Sequence, residues 1–190
     1  MVTSRLALVP ATATHLQAEV VGRAALGAAL NADVPPSWPP ELYDEDAVRY
    51  FLSRVLEHPE QPGWGSHYVV RRPTALEMPL LIGTGGFKGA PDDAGSIEVG
   101  YSVLPEQQRR GYATEALRGW VEWAFASPSV QTIVAHTLPH LTASIRVLEK
   151  AGFCYAGKGN DPHALAEERV IRYELSRDTF VSRVATGSAT

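Results

Sequence analysis

Residues 48–56 place Val48, Phe51, Leu52, Val55 and Leu56 at i, i+3, i+4, i+7 and i+8, one face of an amphipathic helix that begins after Asp44 and stops at Pro59. Upstream, residues 5–9 read as an edge strand, and Thr14 offers a cap for an alanine-rich helix over 15–30. Val34-Pro35-Pro36-Ser37-Trp38-Pro39-Pro40 then breaks regular structure, because proline removes donors and restricts the residue before it. Three β-rich stretches, 67–71, 80–87 and 96–104, are separated by Pro73 and by Gly89-Ala90-Pro91-Asp92-Asp93, and predict an antiparallel meander. From Ala113 the period changes, with Leu117, Trp120, Val121 and Ala124 on one helical face, and 131–137 is a buried-type strand. Strand, helix, strand implies a parallel crossover. A helix over 142–150 ends at Gly152 as C-cap, and 153–156 and 170–175 close the pattern as strands. The expected fold class is α/β (α+β): one domain over 1–183, a mixed, mostly antiparallel sheet flanked by helices, with a frayed tail over 184–190.

A length of 190 residues with 45% hydrophobic content suits one domain with a sizeable core. The formal net charge of −4 supplies no basic field for nucleic acid or an anionic membrane, so a cationic or neutral substrate fits better. The single cysteine, Cys154, cannot form an internal disulfide, and no cysteine and histidine cluster has zinc spacing. A reducing cytoplasm is the expected setting. The apolar patch 6–9 is too short for a signal peptide and no run of about 18 apolar residues occurs, so a soluble, unprocessed chain is expected.

The stretch from Ile97 to Leu117 carries the chemistry: a strand, a tight basic turn at Gln108-Arg109-Arg110-Gly111, and a helix opening with Tyr112-Ala113-Thr114. A turn feeding a helix leaves backbone N–H groups convergent and unpaired, a site for phosphate or pyrophosphate. Hydrogen bonds to charged groups contribute roughly 1.5–3 kcal/mol each, so three or four amides make a strong grip, and backbone rather than side chain dominates it. Gly111 permits positive φ and close approach, and Ala113 is small for a similar reason. The spacing alone fits an ordinary surface turn equally well.

This segment resembles the acetyl-CoA motif of the GNAT superfamily of N-acetyltransferases: Gln or Arg, two residues, Gly, any residue, Gly or Ala. Glu98-Val99-Gly100-Tyr101 is similar to the family's fourth strand, and Ala113-Thr114-Glu115-Ala116-Leu117 to the start of its third helix. Glu149-Lys150-Ala151-Gly152-Phe153 is similar to its other signature. The wording is closest to the branch containing the ribosomal-protein N-terminal (alanine) acetyltransferases, and the likeness in element order spans 5–177. The resemblance implies a splay between the fourth and fifth strands, with acetyl-CoA as cosubstrate and its pantetheine arm lying in the gap. Amides near Val103 and Leu104 would pair with the arm, and those from Arg109 to Thr114 would take the pyrophosphate.

Transfer to an amine needs a base, an oxyanion donor and an acid for the leaving thiolate. The resemblance puts Glu98 near the amine as base through water, and a backbone amide near Val103 at the oxyanion; the alternative for Glu98 is a paired strand carboxylate. Many members use a helix tyrosine as acid, but Leu148 stands there, and the branch's serine corresponds to Ser144, which is otherwise an ordinary polar residue of a first helical turn. Tyr101, Tyr112 and Tyr155 are substitutes or wall residues. Leu141 replaces an asparagine common in the branch. These two departures favour the alternative of a non-catalytic acyl-CoA-binding or regulatory domain. The acceptor stays open between a protein N-terminus and a small-molecule amine, and a homodimer is ordinary for such a chain.

Other signals are weaker. Gly152 to Gly159 approximates a Walker A loop, but Gly159 lacks the hydroxyl and Asn160-Asp161-Pro162 does not begin a helix. Gly83-Thr84-Gly85-Gly86 sits inside a strand pattern and reads as a bulge or close backbone contact bordering the acceptor site. His136 and His140 have no evident partner, and no metal site is expected. Trp38, Trp64, Phe87 and Tyr101 are either acceptor-pocket or core residues; Asp44, Glu45 and Asp46 suit a helix N-terminus. Cys154 reads as packing.

Overall fold

The computed structural model describes residues 1–41, 43–159 and 170–187. Asn160-Asp161-Pro162 and the last three residues of the expected tail lie outside them. The strands are β1 (Leu6–Pro10), β2 (Ser66–Arg71), β3 (Leu80–Phe87), β4 (Ser96–Val103), β5 (Thr132–Thr137), β6 (Cys154–Lys158) and β7 (Ile171–Ser176). They form one sheet in the order β1-β2-β3-β4-β5-β7-β6. All neighbours are antiparallel except β4 and β5, which the crossover makes parallel. The meander, the edge position of β1 and the crossover follow the expectation.

Alternation along the strands feeds two cores. On one face, helix α4 (Tyr112–Ala126) presses Leu117, Trp120, Val121 and Ala124 onto Ile82, Phe87, Ile97 and Val99, and helix α5 (Thr142–Ala151) adds Leu148. On the other, α1 (Ala13–Val21), α2 (Arg23–Leu30) and α3 (Glu45–Glu57) bury Leu16, Leu26 and Val48 with Trp38 against Tyr68, Val70 and Leu81. Each such large side chain contributes about 1.5–3 kcal/mol on full burial. No helix among the described residues is long and apolar enough to cross a membrane.

Four local readings change. The first cap is Thr12, not Thr14: its Oγ1 accepts from the His15 amide at 3.3 Å while His15 Nδ1 accepts from the Thr12 amide at 3.3 Å, a reciprocal box that only this spacing closes. The alanine-rich run is two helices, because Gly22 adopts φ 139 and serves as C-cap of α1 and N-cap of α2. The expected tail from Val184 begins inside a further helix, α6 (Arg177–Ala185), capped by Ser176. Arg177 anchors that helix by donating to the carbonyls of Val130 at 2.8 Å, Phe125 at 2.9 Å and Ser127. Cys154, expected to pack, is exposed on the edge strand β6. As expected, Asp44 caps α3 through the Ala47 amide at 2.9 Å, and Gly152 ends α5 with φ 102.

The glycine run in β3 is a site of close approach. The β2–β3 register shifts between Val69 and Val70, and a Cβ on Gly85 would strike the Trp120 ring and stand 2.7 Å from the Gly100 carbonyl oxygen. The outer edge of the Trp120 ring therefore packs against bare backbone. Gly85→Ala should overpack this contact and cost about 1–3 kcal/mol, read as a lower urea midpoint with unchanged slope. Gly100→Ala, whose Cβ meets nothing within 4 Å, should leave the midpoint within about 0.5 kcal/mol of the parent.

Candidate active site

Parallel pairing between β4 and β5 covers only Ser96↔Thr132, Ile97↔Ile133 and Glu98↔Val134. Beyond Glu98, β4 continues to Val103 along β3 while β5 continues to Thr137 along β7, so a wedge opens in the plane of the sheet. Backbone groups alternate sides along a strand. The Leu104 amide donates to the Ile82 carbonyl at 2.9 Å and the Glu98 carbonyl accepts from the Lys88 amide at 3.0 Å, so even-numbered residues address β3. The Val99 amide is on the β5 side within the last parallel pair, and Tyr101 and Val103 therefore turn their amides into the wedge. This corrects one sequence reading: Val103 offers its amide to the gap, but Leu104 does not, and its side chain is fully buried.

At the wide end of the wedge, Pro105–Gln107 makes one 3₁₀ turn, and Arg109 (φ 60) and Gly111 (φ 81) adopt left-handed backbone before α4 begins. The first amide with a helical partner is that of Glu115, bonded to the Gly111 carbonyl at 3.0 Å. Among the described residues, the amides from Arg109 to Thr114 have no partner, and α4 has no side-chain cap. This is an anion cradle at a helix N-terminus, and its residue types fit a pyrophosphate. Gln108 serves it indirectly: its Nε2 donates to the Val103 carbonyl at 3.0 Å, tying the turn to the end of β4.

A second brace comes from the far edge of the sheet and was not read in the sequence. Arg5 pairs with Glu115 at 2.7 Å, donates to the Arg110 carbonyl at 3.0 Å and lies 4.6 Å over the Tyr112 ring. Thr3 donates to Glu115 at 2.6 Å, and the Arg5 amide does so at 2.7 Å. The cradle is thus braced by the segment leading into β1, more than a hundred residues earlier.

At the closed end, the chemistry splits between the faces of the sheet. Glu98 lies on the face away from α4, its Oε1 2.6 Å from Lys88 Nζ and 3.1 Å from His136 Nδ1. The imidazole approaches without the alignment of a hydrogen bond, since His136 Nδ1 has none among the described residues. Sequence reasoning left His136 unpaired. Its partner was legible from the parallel register, because Val134 sits beside Glu98 and His136 is two residues on, on the same face. Tyr101, on the α4 face, crosses the wedge to α5, where its hydroxyl donates to the Ser144 carbonyl at 3.1 Å and lies 3.3 Å from Ser144 Oγ. Burial pushes Tyr101 up to about 12, against the lowering effect of the Ser144 contact, so it keeps its proton at neutral pH. Leu148, in the place of the family's tyrosine, is a fully buried core residue.

The profile of the acetyltransferase (GNAT) domain matches residues 5–154. The chain belongs to the GNAT family. Its members share acetyl-CoA as cosubstrate, and the wedge and cradle are the features that fit it here. The chain is 30% identical over 116 residues to the uncharacterized N-acetyltransferase YjdG of Bacillus subtilis, a match covering 61% of this chain and 66% of that one. It spans about half to two thirds of the length of the curated relatives it matches. Two solved structures share the fold. The ribosomal L7/L12 α-N-protein acetyltransferase RimL in complex with coenzyme A has TM-score 0.64 at 18% identity, covering 94% of this chain and 98% of that one. Mutant forms of the spermidine/spermine N-acetyltransferase SpeG from Vibrio cholerae have TM-score 0.65 at 16% identity, covering 95% and 99%.

Of the four aromatic residues read as pocket or core in this GNAT chain, Trp64 and Phe87 line a cavity, Tyr101 spans the wedge, and Trp38 is core. Trp38 belongs to a cluster invisible in the sequence. The Glu19 carboxylate accepts from Trp38 Nε1 at 2.7 Å, from the Tyr68 hydroxyl at 2.6 Å and from the Tyr43 hydroxyl at 3.1 Å. Burial raises the Glu19 carboxyl above the usual range, and these three bonds only partly offset it. The acid joins α1, the proline-rich loop and β2.

Burial raises Glu115, but the bonds from Thr3 and Arg5 more than reverse this and hold it below the usual carboxylate range. Because the folded value is the depressed one, the stabilisation is complete at neutral pH and is lost as pH falls through it. Glu115→Gln should lower the urea midpoint at pH 7, with the gap to the parent closing on acidification below the usual carboxylate range. The same change should weaken acetyl-CoA binding by about three- to tenfold, measured by calorimetry, as one hydrogen-bonded brace is lost.

Proposed function

We propose that this GNAT chain is an N-acetyltransferase that moves acetyl from acetyl-CoA directly to an amine, a protein N-terminus or a small-molecule amine. The observation that carries the reading is the wedge that opens at Glu98 and ends on the amides of Arg109 to Thr114. The pyrophosphate takes the amides of Arg109, Arg110, Gly111, Tyr112, Ala113 and Thr114, with Gln108 as the brace, and the pantetheine arm lies along Val99 to Val103 as a surrogate strand. The Val103 amide faces the gap where an oxyanion donor is needed.

The amine enters from the Glu98 face and attacks the acetyl carbonyl carbon; its proton passes through water to Glu98, with His136 as the adjoining group. The carbon–sulfur bond breaks toward the other face, where Ser144 protonates the thiolate and Tyr101 can return the proton. Nitrogen gains the acetyl group and sulfur gains one proton, so the products are an amide and CoA. Separate acid and base faces keep the two proton transfers apart. The cytoplasmic setting and homodimer belong to the same proposal; the unpaired, exposed Cys154 fits a reducing compartment, and light scattering reads the assembly.

Thiol release from acetyl-CoA against a panel of amines and peptides tests the reaction. Amine-dependent release, with Glu98→Gln lowering kcat by about a hundredfold and leaving acetyl-CoA affinity unchanged, is the expected result. Acetyl-CoA binding with no release on any acceptor would instead favour the acyl-CoA-binding domain, the reading that buried Leu148 supports. The Ser144→Ala, Tyr101→Phe double variant should slow turnover by less than the product of the two single effects, as two hydroxyls on one proton path require.

A further inference from the structure

At the end of β3 lies a cavity of about 380 Å³, between α3, the connection to β2 and the residues just after β3, with Phe87 from the α4 face and Lys88 from the Glu98 face in its lining. That volume is in the range of small-molecule sites. Its walls are mostly apolar, with Phe51, Val55, Trp64 and Phe87 among them. Trp64 is fixed by rings on two sides, Phe87 at 5.5 Å and Trp123 at 4.5 Å between centroids. The cavity reaches the reacting centre through a shared wall, since Lys88 lines it and also contacts Glu98.

Among the described residues, the formal charges in the lining are basic, and that of Lys88 is paired with Glu98 outside it. Arg54 and Lys88 line the cavity, and no described lining residue is a carboxylate. Arg54 leaves the last turn of α3 half-buried and reaches across to the residue after Lys88, where its Nη2 stands 3.3 Å from the position of a Cβ on Gly89. Among the described residues it makes no hydrogen bond or ion pair, whereas Arg5, Arg49 and Arg71 each hold a glutamate. A guanidinium drawn into an apolar cavity without an acid is five donors in a fork that fits a carboxylate.

We propose that this cavity is the acceptor site and that Arg54 holds the carboxylate of an amino-acid-type amine whose apolar or aromatic body lies against Trp64 and Phe87. The proposal deepens the acetyl-transfer reading and rests on it for the amine's fate. A polyamine is disfavoured, because its second ammonium would meet the Arg54 guanidinium, beside which no described lining residue is an acid. Of the cationic or neutral substrates that the net charge of −4 suggested, Arg54 therefore favours the neutral, zwitterionic kind.

Matched acceptors test this: L-tryptophan against tryptamine, L-phenylalanine against phenethylamine, and spermidine as the polycation. The expected result is a kcat/KM at least about tenfold higher for each acid-bearing member, with the ratio falling toward one in Arg54→Met and recovering in part in Arg54→Lys. Equal rates within the pairs, preference for spermidine, or a ratio that survives Arg54→Met overturns it. A second arm does not depend on turnover: L-tryptophan is titrated calorimetrically into CoA-saturated protein, parent and Arg54→Met. Binding that the variant loses, alongside no turnover on any amine, would keep the cavity's assignment and sink the acetyl-transfer reading. No binding by the parent together with no discrimination in rate sinks the cavity's assignment alone.

Discussion

Three residue pairs, Ser96 to Glu98 against Thr132 to Val134, are all that join β4 to β5. Each strand then follows its other neighbour, and the sheet parts. Ladder bonds that would ordinarily be satisfied by a strand are left pointing into a gap, and leaving backbone groups unmade inside a protein is costly. The gap is tolerated because it opens to solvent and because an extended ligand can complete it. The position proposed for the reaction follows from the same parting: Glu98 is the last paired residue, and Tyr101 bridges the two halves.

Other parts of the molecule keep that opening in shape. Trp120 presses on Gly85 and holds α4 close to the middle of the sheet, so the helix N-terminus arrives at the end of β4 at a fixed height. Gln108 ties the turn to Val103, and Arg5 with Glu115 ties it to the opposite edge. On the other face, Glu19 gathers Trp38, Tyr43 and Tyr68 and fixes the proline-rich loop against α1. Rigid supports on both faces suit a site that must hold two reactants in register.

The fold was largely legible because its signals are local. Period-two and period-3.6 patterns set the strands and the main helices, and the Gln108 to Ala113 spacing with its flanks located the cradle. What escaped were pairings between distant residues. Thr12 and Thr14 are equally good caps by composition, and only the reach of His15 decides between them. Arg5 and Glu115, Glu98 and His136, and Glu19 with its three aromatic donors lie far apart in sequence, so no window contains both members. Leu104 was misread for a subtler reason: a strand's amides alternate sides, and which parity faces the gap is set by β3.

The cradle at the start of α4 offers main-chain groups, whereas the cavity proposed for the acceptor is lined by side chains such as Phe51, Arg54 and Trp64. A grip made of peptide groups does not depend on most of the side chains it carries, once left-handed backbone at Arg109 and Gly111 and the braces from Gln108, Arg5 and Glu115 are kept. The two halves of the site can therefore diversify at different speeds. The same cosubstrate half can be paired with many acceptor halves, and a handful of exchanges along α3 would be enough to redirect this scaffold to another amine without retuning its hold on the donor.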